Sequence, residues 1–285
     1  MRMSNWRLLL GNPVAAISAV LLLAIIIAAL GAPWLAPSGV NDVDVPNALQ
    51  APGGAHWFGT DELGRDIASR VLVATRASLE VAVVSVAFAL VVGVSVGVLA
   101  GYRGGWADTV LMRCVDVMFA FPVLLLALAI VAVLGPGLTT TMLAIGVVYT
   151  PIFARVARAS TLGVRVEPYV AVSRSMGSPH HFILTRHVLP NIAGPLIVQT
   201  SLSLAFAILS EAALSFLGLG LQPPQPSLGR MIFDSQGFVT LAWWVAVFPG
   251  AAIFVIVLAF NLLGDGLRDV LDPKQRTSTE AGRGS

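Results

Sequence analysis

The sequence has 285 residues, of which 56% are hydrophobic and only 11% are charged. An ordinary soluble domain carries about 25% charged residues, so this composition excludes one and indicates a protein that lies in a membrane. The net charge of +2 is small, so the positions of the charges matter more than their sum, and we expect no nucleic acid partner. Cys114 is the single cysteine, which excludes an intramolecular disulfide and a cysteine-rich metal site.

Six apolar segments are long enough to cross a lipid bilayer, which needs about 20 apolar residues per helix. The first, residues 14–36, follows Arg2 and Arg7 as the core of a secretory signal would. Its apolar run exceeds the roughly 7 to 15 residues of such a core, so we predict an uncleaved helix. The other predicted spans are 78–101, 109–134, 139–158, 191–217 and 241–264. The expected fold is an all-α integral membrane protein.

The polar segments between these spans define the predicted topology. Thirteen of the 17 Lys and Arg residues fall on one side of the membrane if the N-terminus is cytoplasmic, which favours both termini inside. The predicted regions are a cytoplasmic N-terminus (1–13), the first helix (14–36), an external loop (37–77), a five-helix core (78–267) that contains a cytoplasmic coupling loop (159–190), and a cytoplasmic tail of disordered composition (268–285).

Gly93, Ser95 and Gly97 form a G-x-S-x-G pattern. In serine hydrolases this pattern needs a strand-to-helix turn and a histidine base. Here it lies within an apolar predicted helix, and all four histidines lie outside the spans. We therefore predict no catalytic residue. Gly93, Gly97 and Gly101 recur every four residues, which indicates a face for close helix packing.

We expect neither a histidine metal site nor a phosphate-binding loop for a nucleotide. His180, His181 and His187 lack the i, i+4 spacing and the neighbouring carboxylate or cysteine of a helical metal site. Lys274 is the sole lysine and is followed by Gln275, so the phosphate-binding pattern G-x-x-x-x-G-K-[ST] is missing.

Asp116 and Glu211 are acidic residues within predicted spans, where ionisable groups are costly and usually face protein or water. Asp116 lies near Arg113 and the cytoplasmic end of its span, so an interfacial or ion-paired role is one interpretation. Glu211 lies deeper, and two interpretations stay open. It is either a polar group on a transport pathway or proton relay, or a buried hydrogen-bonding partner between helices.

The segment from Thr161 to Pro190 is too polar to span and has its own helical pattern. Tyr169, Val172 and Met176 are spaced to form a short apolar face. Gly177 is suited to end that helix in a left-handed conformation, and Ser178 to cap a second helix that Pro190 interrupts before the fifth span. Such a projection suits docking into a groove on another protein or lying on the lipid surface.

The sequence YVAVSRSMGSPHHFILTRHVLPN, residues 169–191, resembles the cytoplasmic loop of binding-protein-dependent ABC importer permeases. The pattern of that loop is E-A-A, a later Gly, and then L-P. Gly177 matches the Gly, and Leu189 and Pro190 match the L-P. Ala171, Val172 and Ser173 occupy the E-A-A positions, so the acidic residue is absent. The resemblance implies an ATPase-docking coupling loop made by Tyr169, Ala171, Val172, Ser173, Met176, Gly177, Ser178, Leu189 and Pro190.

Further segments are similar to the C-type membrane subunit of dipeptide and oligopeptide importers, a branch that includes nickel and glutathione permeases. They are HWFGTDELGRDIASRVLVATRASL, VDVMFAFP, SEAALSFLGLG and PPQPSLGRMI. The resemblance implies the type I ABC importer permease fold and a non-catalytic subunit of the bacterial inner membrane that carries di- or oligopeptides. Nickel or glutathione is the alternative cargo, and a stand-alone proton-coupled carrier is the alternative of another class.

The resemblance also implies the partners. They are a homologous B-type permease, two ATPases that bind ATP and Mg, and an external substrate-binding protein, while this chain binds no cofactor itself. The external loop and residues 222–238 would face the binding protein. Asp61, Glu62, Arg65 and Asp66 are its candidate contacts, although loop closure or the capping of a helix that begins near Glu62, with Thr60 or Asp61 as the cap, is the somewhat favoured role for them.

Overall fold

The computed structural model describes residues 13–271, and within this range the regular structure is helical. The α-helices are α1 (Pro13–Leu30), α2 (Ala32–Leu35), α3 (Ile67–Arg103), α4 (Gly105–Phe119), α5 (Val123–Leu134), α6 (Leu138–Val164), α7 (Pro168–Ser175), α8 (His180–Ile183), α9 (Leu189–Phe216), α10 (Leu228–Asp234) and α11 (Trp244–Leu271). Short 3-10 helices cover Val45–Asn47 and Ser235–Gly237. Residues 1–12 of the predicted N-terminal segment and residues 272–285 of the predicted tail lie outside the described residues.

Five helical segments among the described residues are long and apolar enough to cross a membrane: α1, α3, α6, the continuous segment His180–Phe216, and α11. The pair α4 and α5 would supply a sixth span, but the two helices are bent by 88°. The predicted span 109–134 is therefore not one continuous helix. Pro122 explains the break, because proline has no N–H to donate and disfavours a helical conformation at the preceding residue, Phe121.

Helix α3 begins well before the predicted second span. Asp66 caps it by accepting a hydrogen bond from the backbone N–H of Ser69 at 2.8 Å, so the last part of the predicted external loop, from Ile67 on, is helical. No helix begins at Glu62, where the sequence pattern allowed one. At 1.5 Å per residue, the 37 residues of α3 measure about 55 Å, which exceeds the roughly 30 Å hydrocarbon core of a bilayer.

Helices α3 and α6 pack closely along the glycine stripe of α3. A Cβ atom at Gly93 would lie 2.5 Å from the Thr150 carbonyl oxygen, and one at Gly97 would collide with the Ala154 carbonyl. At Gly101 the added atom would lie 2.9 Å from the Arg158 carbonyl oxygen. The absence of side chains at these positions lets the two backbones approach, which is how small residues favour helix association in membranes.

Candidate functional site

The coupling loop forms two short helices at one end of α3. Helix α7 ends at a left-handed Gly177 with a φ of +76°, and the Ser178 N–H donates to the Ser173 carbonyl at 3.1 Å. This closing bond is the one that terminates many helices at a glycine. Ser178 does not cap the next helix with its side chain, because α8 begins two residues later with Pro179 at the capping position.

The apolar face predicted for α7 is exposed, while its opposite face packs on the protein. Tyr169, Val172 and Met176 are 41%, 58% and 80% exposed. Val170 is fully buried and Ser173 nearly so. Ala171, Gly177, Leu189 and Pro190 are also exposed. The loop therefore presents an uncovered nonpolar ridge, which is the kind of surface that a groove on another protein accepts.

The coupling loop is continuous with α9. Pro190 does not interrupt the helix as predicted, because residues Leu184–Val188 form a π-helical turn in which the Leu189 N–H bonds to the Leu184 carbonyl. The wider turn accommodates a proline, whose ring would clash with the carbonyl four residues before it in a regular α-helix. Residues His180–Phe216 thus form one helical rod that joins the second half of the coupling loop to α9.

The far end of α3 is attached to the coupling loop by polar contacts. The Tyr102 hydroxyl lies 2.9 Å from His180 Nδ1, and the Arg174 guanidinium lies 5.7 Å from the centre of the Tyr102 ring. The Arg165 guanidinium donates to the Gly101 carbonyl at 2.8 Å. The loop is thereby held against α3.

The opposite end of α3 carries the four charged residues predicted as binding-protein contacts, and they divide into two pairs. Asp61 and Asp66 are only 4% and 2% exposed. Asp61 accepts from the Arg65 Nε at 2.6 Å and from two backbone N–H groups of its own turn. Asp66 caps α3 and lies 2.9 Å from His56 Nδ1. These two carboxylates stabilise the loop between α2 and α3, and they are not available to another protein.

Glu62 and Arg65 instead line an open cavity of about 510 Å³. Its other wall is formed by α10 and the turn after it. Within α10, the Arg230 Nε and an Asp234 carboxylate oxygen form an ion pair at 2.7 Å. Burial raises the pKa of the Glu62 carboxyl above its ordinary value, although the nearby backbone hydrogen bond and Arg65 oppose the shift. We call this pocket the charged cavity. It joins the two segments predicted to face the binding protein.

Asp116 forms an ion pair at the bend between α4 and α5. It accepts from the Arg155 guanidinium at 2.8 Å, and the same guanidinium lies 3.8 Å from the centre of the Phe119 ring. Both partners of the pair are about half exposed. About two turns earlier in the same helix, Asp108 accepts two hydrogen bonds from the Arg158 guanidinium, one of them at 2.6 Å. These pairs fasten α4 to α6.

Glu211 is 1% exposed and makes its contacts inside the helix bundle. Its two carboxyl oxygens accept hydrogen bonds from Ser78 at 2.6 Å and from Ser215 at 2.7 Å. The Ser78 bond joins α3 to α9. Since buried polar groups are costly without partners, this arrangement supports the interpretation of Glu211 as a hydrogen-bonding link between helices.

Sequence reasoning missed the residues that come together only through tertiary packing. Arg230 and Asp234 were not singled out, although their i, i+4 spacing is a recognisable signal for a helical ion pair. Asp108 and Arg158 are distant in sequence and carry no such signal. Among residues 13–271, no group of three or more His, Cys, Asp or Glu side chains is placed to hold a metal ion.

Comparison with known proteins adds sequence and fold relationships. Residues 93–277 match the family described as binding-protein-dependent transport system inner membrane component, and residues 3–52 match the N-terminal TM domain of oligopeptide transport permease C. A dipeptide transport system permease protein of Alkalihalophilus pseudofirmus is 43% identical over 93% of this chain and 88% of its own length. A glutathione transport system permease protein of Pectobacterium atrosepticum is 44% identical over 95% and 91%. The solved structure of a methionine ABC transporter, in an inward-facing conformation, shares the fold at 19% identity, with a TM-score of 0.59 over 71% of this chain and 96% of that one.

Proposed function

The chain belongs to the family of binding-protein-dependent transport system inner membrane components, and on this premise we propose that it is a permease subunit that moves di- or oligopeptides across the bacterial inner membrane. The chain does no chemistry on its cargo. Separate ATPases dock on the coupling loop, and a homologous second permease completes the pathway. An external binding protein delivers the peptide.

One observation carries this proposal: the exposed ridge on α7 is joined by the tight turn at Gly177 to the rod His180–Phe216, which continues into the membrane as α9. Tyr169, Val172 and Met176 supply the nonpolar contact for an ATPase. When ATP binding draws the ATPases together, the rod transmits that movement to the helices that enclose the pathway. ATP favours the outward-facing arrangement because the closed ATPases bind it better, and hydrolysis removes that bias.

Helix α3 sets the proposed orientation of the protein in the membrane. Its two ends lie about 55 Å apart, so the coupling loop and the charged cavity lie on opposite sides of a bilayer core of about 30 Å. The excess of Lys and Arg at the coupling-loop side favours placing that side, and both termini, in the cytoplasm. The charged cavity then faces outward. Glu62 and Arg230 are its accessible contacts for the binding protein.

Peptides are the proposed cargo because a dipeptide permease is among the similar proteins. Glutathione, itself a small peptide, is the second candidate, because a glutathione permease is similar to the same degree. A stand-alone proton-coupled carrier is less well supported, because Glu211 is enclosed and satisfied by two serine hydroxyls.

Uptake in the native cell tests the proposal. The gene for this chain is deleted and restored, and the uptake of labelled alanyl-alanine and of glutathione is measured before and after ATP depletion. We expect the deletion to abolish ATP-dependent uptake of one or both compounds and the restored gene to recover it. Unchanged uptake of both, in cells that still make the binding protein and ATPases, contradicts the proposal.

A further inference from the structure

A second cavity lies among the membrane helices and differs in chemistry from the charged cavity. It has a volume of about 680 Å³ and is lined by residues of α5, α6, α9, α10 and α11. Its nonpolar walls include Ile152, Phe206, Leu209, Ala213 and Phe216. The volume falls within the roughly 300–1,000 Å³ of sites that hold small molecules. We call it the apolar cavity.

The apolar cavity extends from the middle of the membrane toward the outward side. Tyr149, which lines it, lies eleven residues after Leu138, the first residue of α6. At 1.5 Å per residue this is about 17 Å, or roughly half of a 30 Å hydrocarbon core. Phe216, on another wall, is the last residue of α9. A molecule that enters from the outward side therefore meets this cavity before it reaches the cytoplasmic half.

No charged side chain lines the apolar cavity. Its hydrogen-bonding groups are the Tyr149 hydroxyl and Ser210 Oγ, which lie 3.1 Å apart. Glu211 follows Ser210 in the chain, but its carboxyl group is bound to Ser78 and Ser215. The cavity therefore cannot neutralise the terminal ammonium or carboxylate of a peptide. It is suited to a nonpolar side chain, whose transfer from water is favourable by itself.

One wall of this cavity belongs to α9, the helix that the coupling loop moves. Phe206, Leu209 and Ala213 all lie on α9, which is continuous with α8. A shift of the coupling loop therefore changes the shape of the cavity, as a pathway subsite requires. A lipid acyl chain or a side chain of the second permease would fill the same nonpolar space without any link to the cargo.

We infer that the apolar cavity holds one nonpolar side chain of the peptide as it passes through the membrane, and so makes this chain a determinant of cargo side-chain preference. The inference rests on the proposed function, because it concerns the pathway for the same cargo. The residues that line the apolar cavity discriminate between peptides, whereas those of the coupling loop and the charged cavity do not.

The test compares two peptides in cells that carry the complete transporter with wild-type chain or an Ala213→Phe variant, which fills the cavity. The matched control is Ala251→Phe on α11, where the side chain is exposed and does not line the cavity. Labelled alanyl-alanine and leucyl-leucine serve as cargo. For each peptide, uptake by the variant is divided by uptake by wild type. The binding protein is the same in all cells, so this ratio cancels its own preference among peptides.

We expect Ala213→Phe to lower leucyl-leucine uptake about tenfold relative to alanyl-alanine, the lower end of discrimination by a nonpolar pocket. Ala251→Phe should leave the ratio unchanged. A second variant, Phe206→Ala, enlarges the cavity and should raise uptake of phenylalanyl-phenylalanine relative to alanyl-alanine.

Three results would overturn the inference. Equal loss for both peptides, together with reduced recovery of the second permease, would assign the cavity to subunit contact. Unchanged uptake of every peptide in both cavity variants would assign it to lipid. A Phe206→Ala variant that transports but does not change its peptide ratio would also contradict it. If wild-type cells take up none of the three peptides, the proposed function fails instead, which separates the two outcomes.

Discussion

Ser78 on α3 donates a hydrogen bond of 2.6 Å to the carboxyl group of Glu211 on α9, across 133 positions of sequence. The carboxyl group is buried, and Ser215 supplies its second donor. Two hydroxyl groups thus hold an acidic side chain inside a membrane-spanning bundle. The contact links the rod that begins at the coupling loop to α3.

Replacing Ser78 with Ala should destabilise the protein by about 1–3 kcal/mol, because one oxygen of a buried group loses its partner. Glu211→Gln keeps the size and an acceptor oxygen, so it should retain most peptide uptake at every pH tested. Thermal unfolding in detergent measures the stability of the Ser78→Ala variant, and peptide uptake between pH 5 and pH 8 measures the effect of Glu211→Gln. A steep new pH dependence of uptake in Glu211→Gln would revive the proton-relay interpretation.

Adding a methyl group to the glycine stripe should weaken the packing of α3 on α6. In Gly97→Ala the new Cβ meets the Ala154 backbone carbonyl, and such overpacking costs about 1–3 kcal/mol. Gly163→Ala is the matched control, since its Cβ meets no atom within 4 Å. Alanine in an open helical position should stabilise by about 0.5–1 kcal/mol. Equal melting temperatures for the two variants would contradict this account of the stripe.

The turn at Gly177 should be required for coupling but not for insertion into the membrane. Gly177→Arg places a long charged side chain at a left-handed position with a φ of +76°, which costs about 1–2 kcal/mol in the backbone and disturbs the exposed ridge. Peptide uptake should fall while the amount of chain in the membrane stays the same. Gly177→Asn is the control, because Asn tolerates this conformation, and it should keep most uptake. Normal uptake by Gly177→Arg argues against ATPase docking at the loop.

Charge reversal at the charged cavity should slow delivery by the binding protein. Arg230→Glu places a third acidic group beside Glu62 and Asp234, and such changes act mainly on association rates and on their salt dependence. Uptake at limiting binding protein should fall and should respond differently to salt. Asp61→Asn is the contrasting variant, because Asp61 is buried and structural, so it should lower the amount of folded chain instead. If Arg230→Glu leaves uptake and its salt dependence unchanged, the binding protein docks elsewhere.

The raised pKa of Glu62 predicts a pH dependence of stability. Burial disfavours the ionised carboxylate, so the contribution of Glu62 is fully present below its unfolded pKa of about 4.5 and is lost as the pH rises through the higher folded pKa. Glu62→Gln should therefore raise the melting temperature relative to wild type near neutral pH, and this gain should shrink as the pH falls toward 4.5. A gain that is equal at all pH values would contradict the burial argument.

Much of the fold could be predicted from local sequence because the bilayer imposes length and hydropathy on each span. The helices around predicted spans one, two, four, five and six follow from that constraint alone. The break at Pro122 was not predicted, although a proline within an apolar run is a signal for the end of a helix. Pro190 shows the opposite error. It was predicted to break a helix that a π-helical turn instead preserves.

The candidate sites were less predictable because they depend on which side chains meet. Glu62 and Asp61 are neighbours in sequence with the same charge, but one lines an open cavity and the other closes a buried turn. Arg65 donates to both carboxylates, so what distinguishes Asp61 is the pair of backbone N–H groups that its turn directs at it. The apolar cavity draws on five helices and leaves no pattern in the sequence, since its walls are nonpolar residues like those that face lipid.

The most direct test of the central claim is transport by the purified assembly. The tagged chain is isolated from its native cell in mild detergent, its companions are identified by mass spectrometry, and the preparation is reconstituted into lipid vesicles. We predict that a second permease and ATPases accompany it, and that vesicles accumulate alanyl-alanine only with ATP and the binding protein. A chain that is recovered alone and moves solute without ATP would contradict the claim.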